Sequence, residues 1–299
     1  MIKTFDVIKE KVLNNNKMSR CLVAGAADDH AIEAVFEAAN EKFLKPILIG
    51  DEKGIIDILK DKNLINKDYD IIHCPEDINP AEIAVKAVHD GIGDFILKGK
   101  IETRDLLKPI VNKEKGLNSN GFITHFGLMQ IASYHKLLAM SDSAVIPYPT
   151  LEEKAKILNI CLKTLRKLGL DEPIAGILCA VENVNPQMIE TVHAQALAKM
   201  AKEGKFGNCH VLGPISYDLA TSKESVKIKN YSEYGGGNVD MLLVPQMVTG
   251  NVMSKIWNID ERNILAGCLV GADVPIALTS RAASSKEKLY SLMLCSALS

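Results

Sequence analysis

A surplus of either charge is missing from this chain. Its 35 basic residues are balanced by 37 acidic ones, so no bulk field draws it to nucleic acid or to an anionic membrane, and any anion it binds must be held by local groups. Long apolar runs are missing too. No stretch approaches the roughly eighteen apolar residues of a membrane span, and Lys3, Asp6, Lys9, Glu10 and Lys11 crowd the N-terminus before any apolar stretch begins. Paired cysteine spacing is absent: Cys21, Cys74, Cys161, Cys179, Cys209, Cys268 and Cys295 are scattered, mostly inside apolar runs such as Ile177-Leu178-Cys179-Ala180, the usage of reduced structural thiols. A soluble cytoplasmic protein is expected. The histidines, at 30, 73, 89, 125, 135, 193 and 210, show no His-x-x-x-His or Cys/His pairing, so no metal site is expected. Gly25-Ala26-Ala27-Asp28 lacks the G-x-G-x-x-G fingerprint of a dinucleotide site.

What is present is an alternation of short β-like runs and amphipathic stretches. Cys21-Leu22-Val23-Ala24 reads as a strand, followed by a helix from about Asp28 whose Ile32, Val35, Phe36, Ala39 and Phe43 share one face. Pro46–Ile49, Ile71–His73 and Asp94–Leu97 read as further strands, with helices at 80–89 and from about Glu102. This βαβα series implies an α/β fold with largely parallel sheets covered by helices on both faces. The rhythm breaks over 120–141, where Gly121–Thr124 and Tyr134–Leu138 follow each other as β-like runs and imply an antiparallel excursion. Pro147-Tyr148-Pro149-Thr150 then punctuates the chain, with Thr150 as N-cap of a helix carrying Leu151, Ala155, Leu158, Leu162 and Leu165. A domain boundary is placed there. Strands near 174–180, 209–213, 239–245 and 264–270 alternate with helices near 186–202 and 250–257; Gly235-Gly236-Gly237, just before a strand, reads as a turn rather than a phosphate cradle.

Residues 271–289 carry the most information. Pro275–Thr279 reads as a buried strand that delivers Ser280 and Arg281 at its carboxyl end, before a helix from about Ser284. Ligands of open α/β sheets bind at that end, where helix N-termini offer free N–H groups. Arg281 is one of only five arginines, and its planar fork suits phosphate. Lys100, Arg104 and Lys108, four apart, would fall on one helix face just after the Leu97 strand, either as a solvated stripe or as contacts to a pyrophosphate.

At Ser280-Arg281 the chain resembles the phosphate acetyltransferase and phosphate butyryltransferase family, whose C-terminal signature is a Gly, a Pro, then Ser-Arg opening a terminal helix. Further landmarks follow in the family's order: Leu97-Lys98-Gly99 with Thr103 and Leu106-Leu107-Lys108-Pro109, Asp142-Ser143 followed by Pro149, and Pro245 with Gly250-Asn251-Val252 and Lys255. The resemblance implies two three-layer α/β/α domains, of the isocitrate/isopropylmalate dehydrogenase-like kind, with an active-site cleft between them. The first, 1–146, would be completed by 268–299, and the second would be 147–267. It implies a homo-oligomer, a dimer or higher, and exchange of an acyl group between coenzyme A and inorganic phosphate to give an acyl phosphate, with no cofactor beyond coenzyme A as substrate. Ser280 and Arg281 would be catalytic, and Lys98, Gly99, Thr103, Lys108, Asp142, Gly250 and Asn251 would contact substrate or coenzyme A.

Two departures favour the butyryl branch. Phosphate acetyltransferases commonly carry arginine where Lys108 stands, and an acid in the terminal helix, proposed as base for the thiol, aligns with Lys288. Glu287 beside it reads as the far end of a Ser284-x-x-Glu287 capping box, so the base is unassigned. The expected reaction is butyryl-CoA plus phosphate giving butyryl phosphate and CoA. The alternatives are acetyl-CoA as substrate, or a small-molecule-binding paralogue that has lost turnover. A metal-dependent hydroxyacid dehydrogenase on a similar scaffold is disfavoured, because no Asp-x-x-x-Asp falls in a strand-end loop.

Overall fold

The computed structural model describes residues 2–14, 18–278 and 284–299. In chain order the elements are α1 (Phe5–Leu13), β1 (Ser19–Ala24), α2 (Asp29–Asn40), β2 (Leu44–Gly50), α3 (Glu52–Asp61), β3 (Asp70–His73), α4 (Pro80–His89), β4 (Phe95–Lys98) and α5 (Thr103–Ile110). Then come β5 (Thr124–Gln130), β6 (Leu137–Ser141), α6 (Leu151–Leu168), β7 (Ile174–Leu178), α7 (Ile189–Lys202), β8 (His210–Ile215), α8 (Tyr217–Thr221) and α9 (Lys223–Ile228). β9 (Met241–Leu243), α10 (Met247–Ile259), β10 (Ile264–Val270), β11 (Ile276–Ala277) and α11 (Ser285–Leu298) complete it. The α/β class read from the alternation is the one observed. No helix among the described residues is long and apolar enough to cross a membrane.

Contacts divide the chain into two compact units, Asp6–Ile123 with Ala266–Ser299, and Met1–Phe5 with Thr124–Leu265. In the first, the strands run in the order β3-β2-β1-β4-β11, all parallel, with β10 antiparallel to β11. Strands covered on both faces are apolar throughout rather than alternating, as Cys21–Ala24, Ile47–Ile49 and Phe95–Leu97 are, all of them buried. α2 begins where the Asp28 carboxylate accepts the Ala31 N–H at 2.8 Å, and it buries Ile32, Val35 and Phe36. The C-terminal segment belongs to this unit. α11 packs on α2, the Ser291 hydroxyl accepts the Gly267 N–H at 3.0 Å, and Ser296 bonds Ser19 at 2.7 Å. The strand expected over Pro275–Thr279 is paired at Ile276 and Ala277, opposite Ile96 and Leu97; Thr279 lies outside the described residues.

In the second unit the order is β5-β6-β9-β7-β8, with β5 antiparallel to β6 and the others parallel. The antiparallel excursion is therefore present, but both of its strands start later than the sequence suggested. Gly121 adopts φ +70 and its N–H closes a turn on Asn118, so β5 begins at Thr124. Tyr134 and Lys136 are turned to bond the chain before β9: the Tyr134 hydroxyl donates to Val239 O at 2.7 Å, and Lys136 forms a buried ion pair with Asp240 at 2.6 Å. α6 opens with a complete capping box between Thr150 and Glu153. Its buried face is Ile157, Leu158, Cys161, Leu162, Leu165 and Leu168, joined by Lys154, rather than a stripe through Leu151 and Ala155. The three glycines form a tight turn: a Cβ on Gly237 would lie 2.7 Å from Lys223 N, and one on Gly235 2.8 Å from an Ile174 methyl.

Candidate active site

The loops that follow β1 and β4 in the first unit are locked together. Gly99 N–H donates to Ala24 O at 2.9 Å and Lys100 N–H to Gly25 O at 2.8 Å. Two glycines permit this approach. A Cβ at Gly99 would sit 2.3 Å from Gly25 O, and Gly25 has φ +76. Above these loops opens a cavity of about 510 Å³ lined by Lys98, Gly99, Lys100, Asp28, His30 and Lys288 among others. It lies beyond the carboxyl ends of parallel strands, where sheets of this class take ligands, and against the start of α2, which the Asp28 carboxylate caps. Three lysines reach its wall. The structure thus brings Lys98 and Gly99 together and leaves Thr103 and Lys108 outside the lining. The expected stripe of Lys100, Arg104 and Lys108 does not form, because α5 starts only at Thr103 and Lys100 belongs to the preceding loop. Ser280 and Arg281 lie outside the described residues.

Glu287 departs from its expected role. The Ser284 hydroxyl accepts the Glu287 N–H at 3.1 Å, but among the described residues the return bond of a capping box is not made, and Glu287 Oε2 is buried without a partner. Burial raises this carboxyl above the usual range, against the opposing pull of Lys288. Lys288, where the sequence placed the missing acid, lines the cavity.

In the second unit, the antiparallel hairpin sets the start of β5 beside the end of β6. Asp142, following β6, accepts from Ala144 N–H and Val145 N–H on Oδ1, both at 2.8 Å, and from Thr124 Oγ1 at 2.7 Å and His125 N–H at 3.0 Å on Oδ2. Both oxygens are occupied, so Asp142 clamps the two segments. Gly250 and Asn251 close on the same loop. A Cβ on Gly250 would be 3.0 Å from Ser143 Cβ, and the Asn251 amide donates to Ser143 O at 3.2 Å. These contacts frame a pair that sequence reasoning missed: Ser143 Oγ lies 2.9 Å from His125 Nδ1. Ser143 is buried, His125 is half-buried, and desolvation lowers the imidazole pKa although Asp142 acts in the opposite sense. No local spacing joins positions 125 and 143. The usable signal was the hairpin register, in which Gly127 faces Met140.

Residues 70–296 match the phosphate acetyl/butaryl transferase family. The chain belongs to that family. It is 35% identical over 296 residues to a phosphate butyryltransferase of Clostridium acetobutylicum, covering 98% of this chain and 97% of that one. A phosphate acetyltransferase of Thermotoga maritima is 34% identical over 278 residues, covering 93% and 94%. Among solved structures, a branched-chain phosphotransacylase from Enterococcus faecalis superimposes with a TM-score of 0.82 at 29% identity, covering 94% of this chain and 98% of that one. Membership makes the chain an acyltransferase. In this phosphate acyltransferase the acidic side chain in the first turn of α11 is Glu287.

Proposed function

We propose that the chain transfers a short acyl group between coenzyme A and inorganic phosphate, with butyryl-CoA plus phosphate giving butyryl phosphate and CoA. The observation that carries this reading is full-length similarity to a phosphate butyryltransferase, supported by a lysine-walled cavity at strand ends. In the forward direction a phosphate oxygen attacks the thioester carbonyl, the C–S bond breaks, and the sulfur leaves as a thiolate that takes up a proton. Arg281 orients the phosphate through its fork and Ser280 donates to phosphate or oxyanion. Lys98 and Lys288 hold phosphate groups of coenzyme A, and Gly99, whose amide is taken by Ala24 O, lets the two loops lie close together at that site. Glu287 exchanges the thiol proton through Oε1, since Oε2 is sealed from the surface; burial raises the pKa of this carboxyl, which suits a group that both takes up and returns a proton. No cofactor beyond coenzyme A is called for. The protein works in the cytoplasm as a homo-oligomer, a reading consistent with its free, mostly buried cysteines.

The second reading, acetyl transfer, is favoured by the Thermotoga maritima relative. Thiol release from acetyl-CoA and butyryl-CoA in the presence of phosphate separates the two. Each buried methylene contributes about 0.8 kcal/mol, so butyryl-CoA should show a kcat/KM roughly tenfold higher for its two extra methylenes. Equal or better constants with acetyl-CoA would assign the acetyl branch, and no thiol release from either would overturn acyl transfer altogether.

A further inference from the structure

Resting on the acyl-transfer reading, we propose that His125 is a catalytic residue that donates a hydrogen bond from Nε2 to the carbonyl oxygen of the acyl group, and that Ser143 is the positioning residue that fixes its tautomer. The argument begins with proton counting. Ser143 is 5% exposed, and the partner of its hydroxyl among the described residues is His125 Nδ1 at 2.9 Å. If Nδ1 carried the proton, the buried Ser143 O–H would have no acceptor, a loss that a buried hydroxyl does not tolerate cheaply. Ser143 therefore donates, Nδ1 accepts, and the ring proton resides on Nε2.

Nε2 is the unspent end of this arrangement. No hydrogen bond joins it to the described residues, and it is not among the sealed polar atoms, which are Asn118 Oδ1 and Glu287 Oε2. A ligand or water can therefore reach it. Polar side chains at and beside the loop after β6 are committed elsewhere: Asp142 to four donors, Ser141 to His125 O, and the Asn251 amide to Ser143 O. The pair stands at the carboxyl end of β6, the edge at which sheets of this class take their ligands.

The chemistry of the donor selects its target. Desolvation lowers the imidazole pKa, which favours the neutral ring, whereas a phosphate dianion calls for a cation. A neutral donor in a desolvated setting acts most strongly where charge develops only as the reaction proceeds, as on a thioester oxygen turning into an oxyanion. No proton is transferred by His125 in this step.

The test compares His125→Asn with His125→Gln. The asparagine side chain keeps an acceptor near Nδ1 for Ser143 and removes the outer donor, while glutamine offers an N–H near the Nε2 position. In the thiol-release assay with butyryl-CoA and phosphate, His125→Asn should lower kcat by about a hundredfold, the scale for loss of one oxyanion donor, with KM for both substrates little changed. His125→Gln should recover part of that loss. Ser143→Ala should cost less than His125→Asn, and ¹⁵N spectra of histidine-labelled protein should show the Nε2–H form of His125 in the wild type and a tautomer mixture in Ser143→Ala. Wild-type kcat in a folded His125→Asn, or an Nδ1–H tautomer in the wild type, overturns the assignment alone. Complete loss in Ser143→Ala with a hydroxylamine-sensitive acyl-enzyme in the wild type would make Ser143 a nucleophile and also overturn it. Absence of thiol release from the wild type would instead remove the acyl-transfer reading on which the assignment rests.

Discussion

Glu287 and Asp142 are both acids that the fold removes from water, and they are treated in opposite ways. Asp142 receives four donors, the arrangement that stabilises a buried carboxylate. Glu287 has an orphaned Oε2 and a raised pKa. A group whose folded pKa lies above its unfolded value stabilises the fold fully below the unfolded value, and that contribution is lost as pH rises through the folded one. Glu287→Gln cannot ionise, so it should melt like the wild type below about pH 4 and at higher temperature than the wild type at neutral pH. If Glu287 exchanges the thiol proton, the same variant should lose activity by at least about a hundredfold. Calorimetry and kinetics on one preparation check both; a variant that is destabilised at neutral pH, or that keeps its activity, contradicts the role. The sequence pointed to this residue only as a helix cap, because the Ser-x-x-Glu spacing is satisfied whether or not the carboxylate bonds back. Whether it does depends on what packs over the first turn of α11, which spacing does not encode.

At the level of elements, strands and helices were legible wherever periodicity and caps agreed. β10 falls on 264–270 and α4 on Pro80–His89 as expected, the latter because Asn79 caps it and Pro80 occupies its first turn. The parts that were not legible depend on pairing. β5 and β6 were shifted by a turn glycine and by side chains reaching to the residues around Val239, and the His125–Ser143 contact exists only through their register. Close approach between strand ends is legible in outline alone: Gly99 was marked, and its physical reason is the Gly25 carbonyl 2.3 Å from where a Cβ would be. Gly99→Ala must therefore break one or both of the bonds from Gly99 N–H and Lys100 N–H. We expect a destabilisation of about 1–3 kcal/mol, the scale of overpacking. Titration calorimetry should also show coenzyme A binding weakened by about tenfold or more, equivalent to 1.4 kcal/mol. A variant with normal affinity would move the coenzyme A site away from this loop.

For the molecule as a whole, the question is what covers α10. One side of this helix serves the second unit, where Met253 and Trp257 pack on a core that includes Met140, Leu242 and Val244. The other side carries Val248, Val252, Ile256 and Ile259, which are 51%, 48%, 59% and 81% exposed. Spacings of four, four and three place them along one stripe of the helix, and a contiguous apolar stripe is the kind of surface that marks an interface. A second copy is the occupant that fits the homo-oligomer proposed above, since a two-fold axis across α10 would set each stripe against its equivalent and bury all four side chains at once. Light scattering on the wild type should then give a mass of at least two chains. Ile256→Glu with Ile259→Glu should reduce it to one, with an unchanged far-ultraviolet spectrum, because both residues face solvent in the single chain and their loss removes no core contact. A wild type that is monomeric at micromolar concentration, or a double variant that keeps its oligomeric mass, would show that α10 is not the interface. In the expected outcome, activity measured on the monomeric variant also tells whether each chain carries a complete site.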